Sequence, residues 1–369
     1  DDALPLWVAD MDFACAEPIL KALHERIDKK IFGYTMYDTD ECLGAVLNWY
    51  KKRYGWEEQK ENLFFCGGIV SAYAVLLNLL TKEGEGVVIQ RPIYYPFTMK
   101  ANSNGRQIVD SPLIYADGNY TIDFDDLDKK MAEPNNKVLV FCSPHNPAGR
   151  VWTEEEIRKV VDICKKYDKW IICDEIHCDL LRCGMTFHPI LKVAPDYADR
   201  IAVCTAPSKT FNLAGMMISN VIIRDEGLKE IWLGRHYNFD NPLSIAAAQA
   251  AYEKGEPWLE ELRAYLDENF RFTGEYLKEH LPKAKYRVSE ATYLAWVDLN
   301  AYFEPDEHLP LFFAYKAGVL LEGGNMFVQN SDGFIRLNLA CPKATLAEGL
   351  RRICEAVNTK HTEKYLGEK

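Results

Sequence analysis

The stretch Ala206-Pro207-Ser208-Lys209-Thr210-Phe211-Asn212-Leu213-Ala214-Gly215 decides the fold, because it follows directly on the apolar run Ile201-Ala202-Val203-Cys204. A buried strand that runs into a lysine reads as a strand delivering an amine to a site. A second run, Trp170-Ile171-Ile172-Cys173, leads into Asp174 in the same way. An amine and a carboxylate so delivered suit pyridoxal phosphate: its aldehyde needs an amine to hold it as a Schiff base, and its pyridine nitrogen needs an anion to stay protonated. Taken singly, each residue has a plainer reading, since most lysines are solvated and an aspartate after a strand often caps the next helix.

Neighbouring segments strengthen the pair. Lys137-Val138-Leu139-Val140-Phe141-Cys142 reads as a buried strand and enters Ser143-Pro144-His145-Asn146-Pro147-Ala148-Gly149-Arg150, a rigid turn presenting the Asn146 amide. Gly86-Val87-Val88-Ile89-Gln90 leads into Arg91-Pro92-Ile93-Tyr94-Tyr95-Pro96-Phe97 and offers an aromatic ring. Asn62-Leu63-Phe64-Phe65-Cys66 ends in Gly67-Gly68 before a helical stretch, Ile69 to Leu80, an arrangement that aims backbone amides at a phosphate. Polar or aromatic groups at the carboxyl ends of apolar strands stand where open α/β sheets bind ligands.

These residues resemble the fold-type I enzymes dependent on pyridoxal phosphate, in the aminotransferase class I/II superfamily. They are most similar to the MalY/PatB branch of cystathionine β-lyases, or cysteine-S-conjugate β-lyases. The resemblance rests on Trp7-Val8-Ala9-Asp10-Met11-Asp12-Phe13, Phe32-Gly33-Tyr34-Thr35, the Ser143 to Pro147 turn with Gly149, Asp174-Glu175-Ile176-His177, Ser208-Lys209-Thr210-Phe211-Asn212, and Arg336-Leu337-Asn338 followed by Cys341-Pro342. They fall in the family's order over nearly the whole chain.

The resemblance implies a role for each. Lys209 holds the cofactor aldehyde and Asp174 partners the pyridine nitrogen. Asn146 donates to the phenolic oxygen, and Tyr94 stacks on the ring, with Tyr95 one position late for that task. His177 lies near the phenolic oxygen, with a half-buried structural histidine as the alternative. Gly68, Ile69 and Val70 offer backbone amides to the phosphate, and Ser208 a hydroxyl. Arg336 grips the substrate α-carboxylate through its planar fork, with Asn146 and Ala9 beside the substrate. Tyr34 reaches the phosphate of the neighbouring subunit, which implies a homodimer with shared active sites. The expected substrate is a small amino acid bearing sulfur on its β-carbon, cleaved by β-elimination to thiol, pyruvate and ammonia. The readings left open are an aminotransferase and a regulatory binding protein that retains the cofactor.

Two positions depart from the superfamily pattern. Met217 stands eight residues after Lys209, where many aminotransferases have a phosphate-binding arginine, and Ala206 stands three before it in place of a frequent serine. An apolar residue at the first of these resembles the β-lyase branch. The chain begins without methionine, and the resemblance implies further residues ahead of it.

Composition narrows the partners. A net charge of −12, with no basic stripe, argues against nucleic acid. The Ile69 to Leu80 stretch is too short to span a bilayer, which excludes a membrane reading. Of the eleven cysteines, Cys66, Cys142, Cys173 and Cys204 fall inside apolar strands and read as reduced core thiols, and the sequence shows no signal peptide, which fits the cytoplasm. Cys173, Cys178 and Cys183 have no zinc spacing, so no metal is expected.

At 369 residues the chain is long enough for two domains. Strands alternate with helical stretches such as the one opened by the Thr153/Glu156 capping box, whose Ile157, Val160, Val161 and Cys164 share a face. The expected architecture is α/β: a large cofactor domain, 34–264, with a mostly parallel sheet between helices, and a smaller α+β domain built from 1–33 and 265–369.

Overall fold

The computed structural model describes residues 2–236, 239–327 and 332–367. Its centre is a seven-stranded sheet made of β1 (Leu63–Cys66), β2 (Gly86–Ile89), β3 (Gln107–Asp110), β4 (Asn136–Cys142), β5 (Trp170–Asp174), β6 (Ile201–Thr205) and β7 (Ser219–Ile222). The spatial order is β1-β7-β6-β5-β4-β2-β3. β7 alone runs against its neighbours, so the other six point their carboxyl ends the same way.

Side chains alternate across a strand, and the core divides accordingly. Val88, Leu139, Phe141, Ile171, Cys173, Ile201 and Val203 join one apolar cluster. Their neighbours Val87, Ile89, Val138, Val140, Ile172, Ala202 and Cys204 join a second on the opposite face. A sheet covered on both faces explains why its strands are continuously apolar. The helix Ile69–Leu80 lies on one face, burying Ala72, Tyr73, Leu76 and Leu77. Glu154–Lys166 lies on the other, opened by the expected capping box and burying Ile157, Val160, Val161 and Cys164.

A second, antiparallel sheet comprises β8 (Lys285–Tyr286), β9 (Leu294–Asp298), β10 (Glu322–Gly323) and β11 (Phe334–Asn338), in the order β8-β9-β11-β10. The helices Glu256–His280 and Lys343–Gly367 pack together beside it. The amino-terminal segment joins this layer, since Leu4–Pro5 pairs in parallel with Val319–Leu320. The helix Glu17–Asp28 instead packs along Pro242–Lys254. Cys66, Cys142, Cys173 and Cys204 are buried, unpaired thiols. Among the described residues no helix is long and apolar enough to cross a membrane.

Candidate active site

Five strands of the large sheet release their chains at one edge, and a cleft of about 210 Å³ lies there. Ala9, Gly68, Ile69, Val70, Tyr94, Asn146, Asp174, His177, Ser208 and Lys209 line it. Tyr95, which follows Tyr94, is not among the lining residues. Register explains the meeting: Asp174 stands beside Cys142 of β4 and Cys204 of β6, so the turns after those strands converge on it.

Asp174 is 6% exposed, and among the described residues the hydrogen-bond donor to its side-chain carboxylate is Ile176 N, at 3.1 Å. Burial pushes its carboxyl up to about 7, against the opposing pull of that amide and of Lys209. Such a carboxylate is short of a cationic partner. Burial lowers the Lys209 ammonium, although Asp10 opposes this. The Lys209 Nζ donates to Ala9 O at 2.7 Å, and the Tyr293 hydroxyl donates to the same oxygen at 2.7 Å. His177 is fully buried and driven down to about 3 by burial, with Lys209 and Arg336 adding to the effect, so it is neutral. Its Nδ1 has no partner among the described residues, and its ring stands edge-on to Tyr293 at 6.5 Å. Burial also carries the Tyr94 phenol up to about 12.

The amino end of the helix Ile69–Leu80 opens into the same cleft without a side-chain cap. Gly68 precedes it at φ 93°, where a side chain would be strained. Here the structure corrects one expectation: Gly68 N donates to Cys66 O at 2.7 Å and is not available to a phosphate. The glycine turns the chain, leaving the first helical amides, Ile69 and Val70, as the orphan donors. Met217, at φ 50° and 58% exposed, lies over this turn. A Cβ on Gly68 would come within 3.7 Å of its Cε.

Arg336 comes from β11 in the second sheet and is 2% exposed. Its Nη1 donates to Asn146 Oδ1 at 3.1 Å, linking the two sheets across the cleft and leaving the Asn146 amide nitrogen as the group able to donate elsewhere. Residues 8–13 form a strap over Lys209. Asn338 donates to Val8 O and Asp10 O, and Asn212, at φ 57°, donates to Met11 O and Phe13 O at 3.0 Å each. Sequence reasoning missed Glu322, which pairs with Arg336, and Tyr293 and Ser71. Tyr34 is not brought to the cleft: it is 93% exposed, its ring 5.4 Å from Phe239. Asp179, two residues beyond His177, accepts from Trp49 Nε1 at 3.0 Å and Thr210 Oγ1 at 2.8 Å.

Comparison with known proteins agrees with this geometry. Residues 1–353 match the family described as aminotransferase class I and II. The chain is 40% identical to cystathionine β-lyase PatB of Bacillus subtilis, covering 97% of this chain and 93% of that protein. It is 30% identical to the protein MalY of Escherichia coli, with 96% and 92% covered. Among solved structures it is similar to the pyridoxal-phosphate-bound C–S lyase of Staphylococcus hominis, at 44% identity and a TM-score of 0.95, covering 96% of this chain and 92% of that one. A strand-end lysine and aspartate facing an arginine from a second sheet, with likeness of this extent along nearly the whole chain, mean that the protein belongs to the aminotransferase class I and II family.

Proposed function

We propose that this protein uses pyridoxal phosphate to break the carbon–sulfur bond of cystathionine or related cysteine S-conjugates by β-elimination, with water hydrolysing the released three-carbon fragment, giving thiol, pyruvate and ammonia. The observation that carries the reading is Lys209 and Asp174 sharing one buried cleft in a chain 40% identical to a cystathionine β-lyase.

The residues fit the cofactor. An under-partnered buried carboxylate at Asp174 suits a protonated ring nitrogen, and the uncapped helix end at Ile69 and Val70 suits a phosphate. Ser208 would add a hydroxyl and Tyr94 a ring face, and Asn146 and neutral His177, which line the same cleft, would neighbour the phenolic oxygen. Bound there, pyridoxal phosphate supplies an aldehyde for the substrate amine and a ring that takes up the electron pair left when the α-proton departs. The protein's own residues do the rest. Arg336 and Asn146 fix the substrate carboxylate, which sets the direction of the α C–H bond. Lys209, its basicity reduced by burial, accepts the α-proton at Nζ. Asp174 holds the proton on the ring nitrogen. The sulfur leaves as a thiolate.

The enzyme acts as a homodimer. Ile31, Phe32, Tyr34, Met36 and Phe239 form an exposed apolar strip, and Tyr37 in that segment stacks on Phe65 at 4.6 Å, near the end of β1 that enters the cleft. A partner covering the strip brings its own Tyr34 toward this chain's phosphate site. Separate large and small domains, 34–264 and 1–33 with 265–369, are supported by the two sheets, although the helix Glu17–Asp28 packs across that line. Unpaired thiols support a cytoplasmic location.

Pyruvate release from cystathionine, measured with and without an added 2-oxo acid, tests the reading. Release without the oxo acid is expected. Turnover only in its presence marks a transaminase, and no turnover in either arm leaves a binding protein.

A further inference from the structure

Arg336 does not wait with an open fork. In the register of β10 and β11, Glu322 lies directly opposite Arg336, and its carboxylate pairs with the Arg336 Nη2. Nη1 is occupied by Asn146 Oδ1 at 3.1 Å, and the guanidinium carbon lies 4.9 Å from the Phe327 ring centroid. Only Nε lacks a partner among the described residues. Both members of the pair are buried, Arg336 at 2% exposed and Glu322 at 8%. A guanidinium in that position needs a counter-charge, so a protein carboxylate stands where the proposed substrate's carboxylate must arrive.

We infer that Glu322 is a specificity-determining counter-ion, which neutralises Arg336 between turnovers and yields the fork when a substrate carboxylate arrives. The inference rests on the reading of Arg336 as the carboxylate receptor. Binding is then an exchange of one carboxylate for another. An amino acid gains only the difference between the two pairs, which keeps ground-state binding weak, and an amine without a carboxylate cannot displace Glu322. A Glu322 that merely braced Arg336 would do the opposite, since removing it would weaken ligand binding.

The test uses the cofactor-loaded enzyme, with glycine and glycinamide as probes that share an amine and differ in the carboxylate. Binding is followed by the change in the cofactor's visible absorbance. Glu322→Gln is expected to bind glycine about tenfold tighter than wild type, the scale of one charge-assisted contact, and glycinamide unchanged. Glu322→Ala is expected to melt at a lower temperature in sodium chloride and to recover in sodium acetate of equal ionic strength, as acetate fills the space beside Arg336. Unchanged or weaker glycine binding in Glu322→Gln overturns the inference, as does a melting deficit that acetate leaves in place. Equal binding of glycine and glycinamide by wild type overturns instead the underlying reading of Arg336.

Discussion

A carboxyl group buried without a cation keeps its proton, and adjacent residues put this to different ends. Asp174 opens onto the cleft, where a cationic ring nitrogen can draw it into the ionised form. Glu175 is 1% exposed and accepts from Ile190 N at 2.9 Å; burial raises its carboxyl from 4.5 to about 8. The folded state therefore holds a proton that the unfolded chain releases above about 4.5. The stability linked to that proton is complete below 4.5 and is lost as pH rises toward 8. Glutamine keeps the acceptor and carries no titratable proton. Glu175→Gln should thus gain stability over wild type as pH rises from 5 to 8, by at most about 1.4 kcal/mol per pH unit. Parallel melting curves across that range would show Glu175 to be ionised in the fold. For Lys209→Ala the expectation is a folded protein with no turnover and without the visible absorbance of the loaded wild type. Retention of both signals would remove Lys209 from the chemistry. Lys209, Asp174 and Asn146 were legible in the sequence because each follows an apolar run. Glu322 and Tyr293 were not: Glu322 belongs to a strand of two residues, and the roles of both arise from partners distant in sequence.

Elements succeed here where short turns are pinned from both sides. The turn from Ser143 to Gly149 holds Asn146 through His145 N to Arg150 O at 2.9 Å and Gly149 N to His145 O at 2.7 Å. Its last residue is locked to the second sheet's approach, where Glu290 N donates to Gly149 O at 2.8 Å. Gly149 has φ 66°, and a Cβ there would fall 2.5 Å from Ser289 Cβ. Gly149→Ala must therefore strain the backbone or part the two segments, at about 1 to 3 kcal/mol. A lower melting midpoint and a reduced kcat/KM should appear together, because Asn146 moves with the turn; a loss of neither would show that the joint yields freely. The five strands that carry site residues were readable as apolar runs. β7 was not, because Ser219 and Asn220 interrupt its pattern. Both are buried and satisfied, Ser219 Oγ by Cys66 O at 3.0 Å and Asn220 by Thr205 Oγ1 at 3.0 Å and the Tyr252 hydroxyl at 2.8 Å, so the break in hydrophobicity marks a polar network inside the sheet. The Gly68 amide was misassigned for a similar reason, since a glycine before a helix does not disclose which way its N–H turns.

At the scale of the whole molecule, the exposed strip is the feature a single chain leaves unexplained. Ile31 is 69% exposed, Phe32 56%, Tyr34 93% and Met36 54%, in one short segment that pairs through Thr35–Met36 with Phe239–Asp240. Apolar side chains gathered this way mark an interface. If the covering partner is a second copy and its Tyr34 completes the phosphate site, each site is built from two chains. A Tyr34→Ala chain then offers a sound Lys209 and lacks the phosphate contact, whereas a Lys209→Ala chain offers a sound Tyr34 and lacks the amine. Two-fold symmetry gives their mixed dimer one complete site and one doubly defective site. Random exchange makes about half of the dimers mixed, so activity should return to at most roughly a quarter of wild type. The mixing is done under conditions shown to exchange subunits, and pyruvate release is compared with that of each variant alone. Activity no greater than the sum of the two parents would mean that Tyr34 serves only its own subunit, and that the strip is covered without sharing the site.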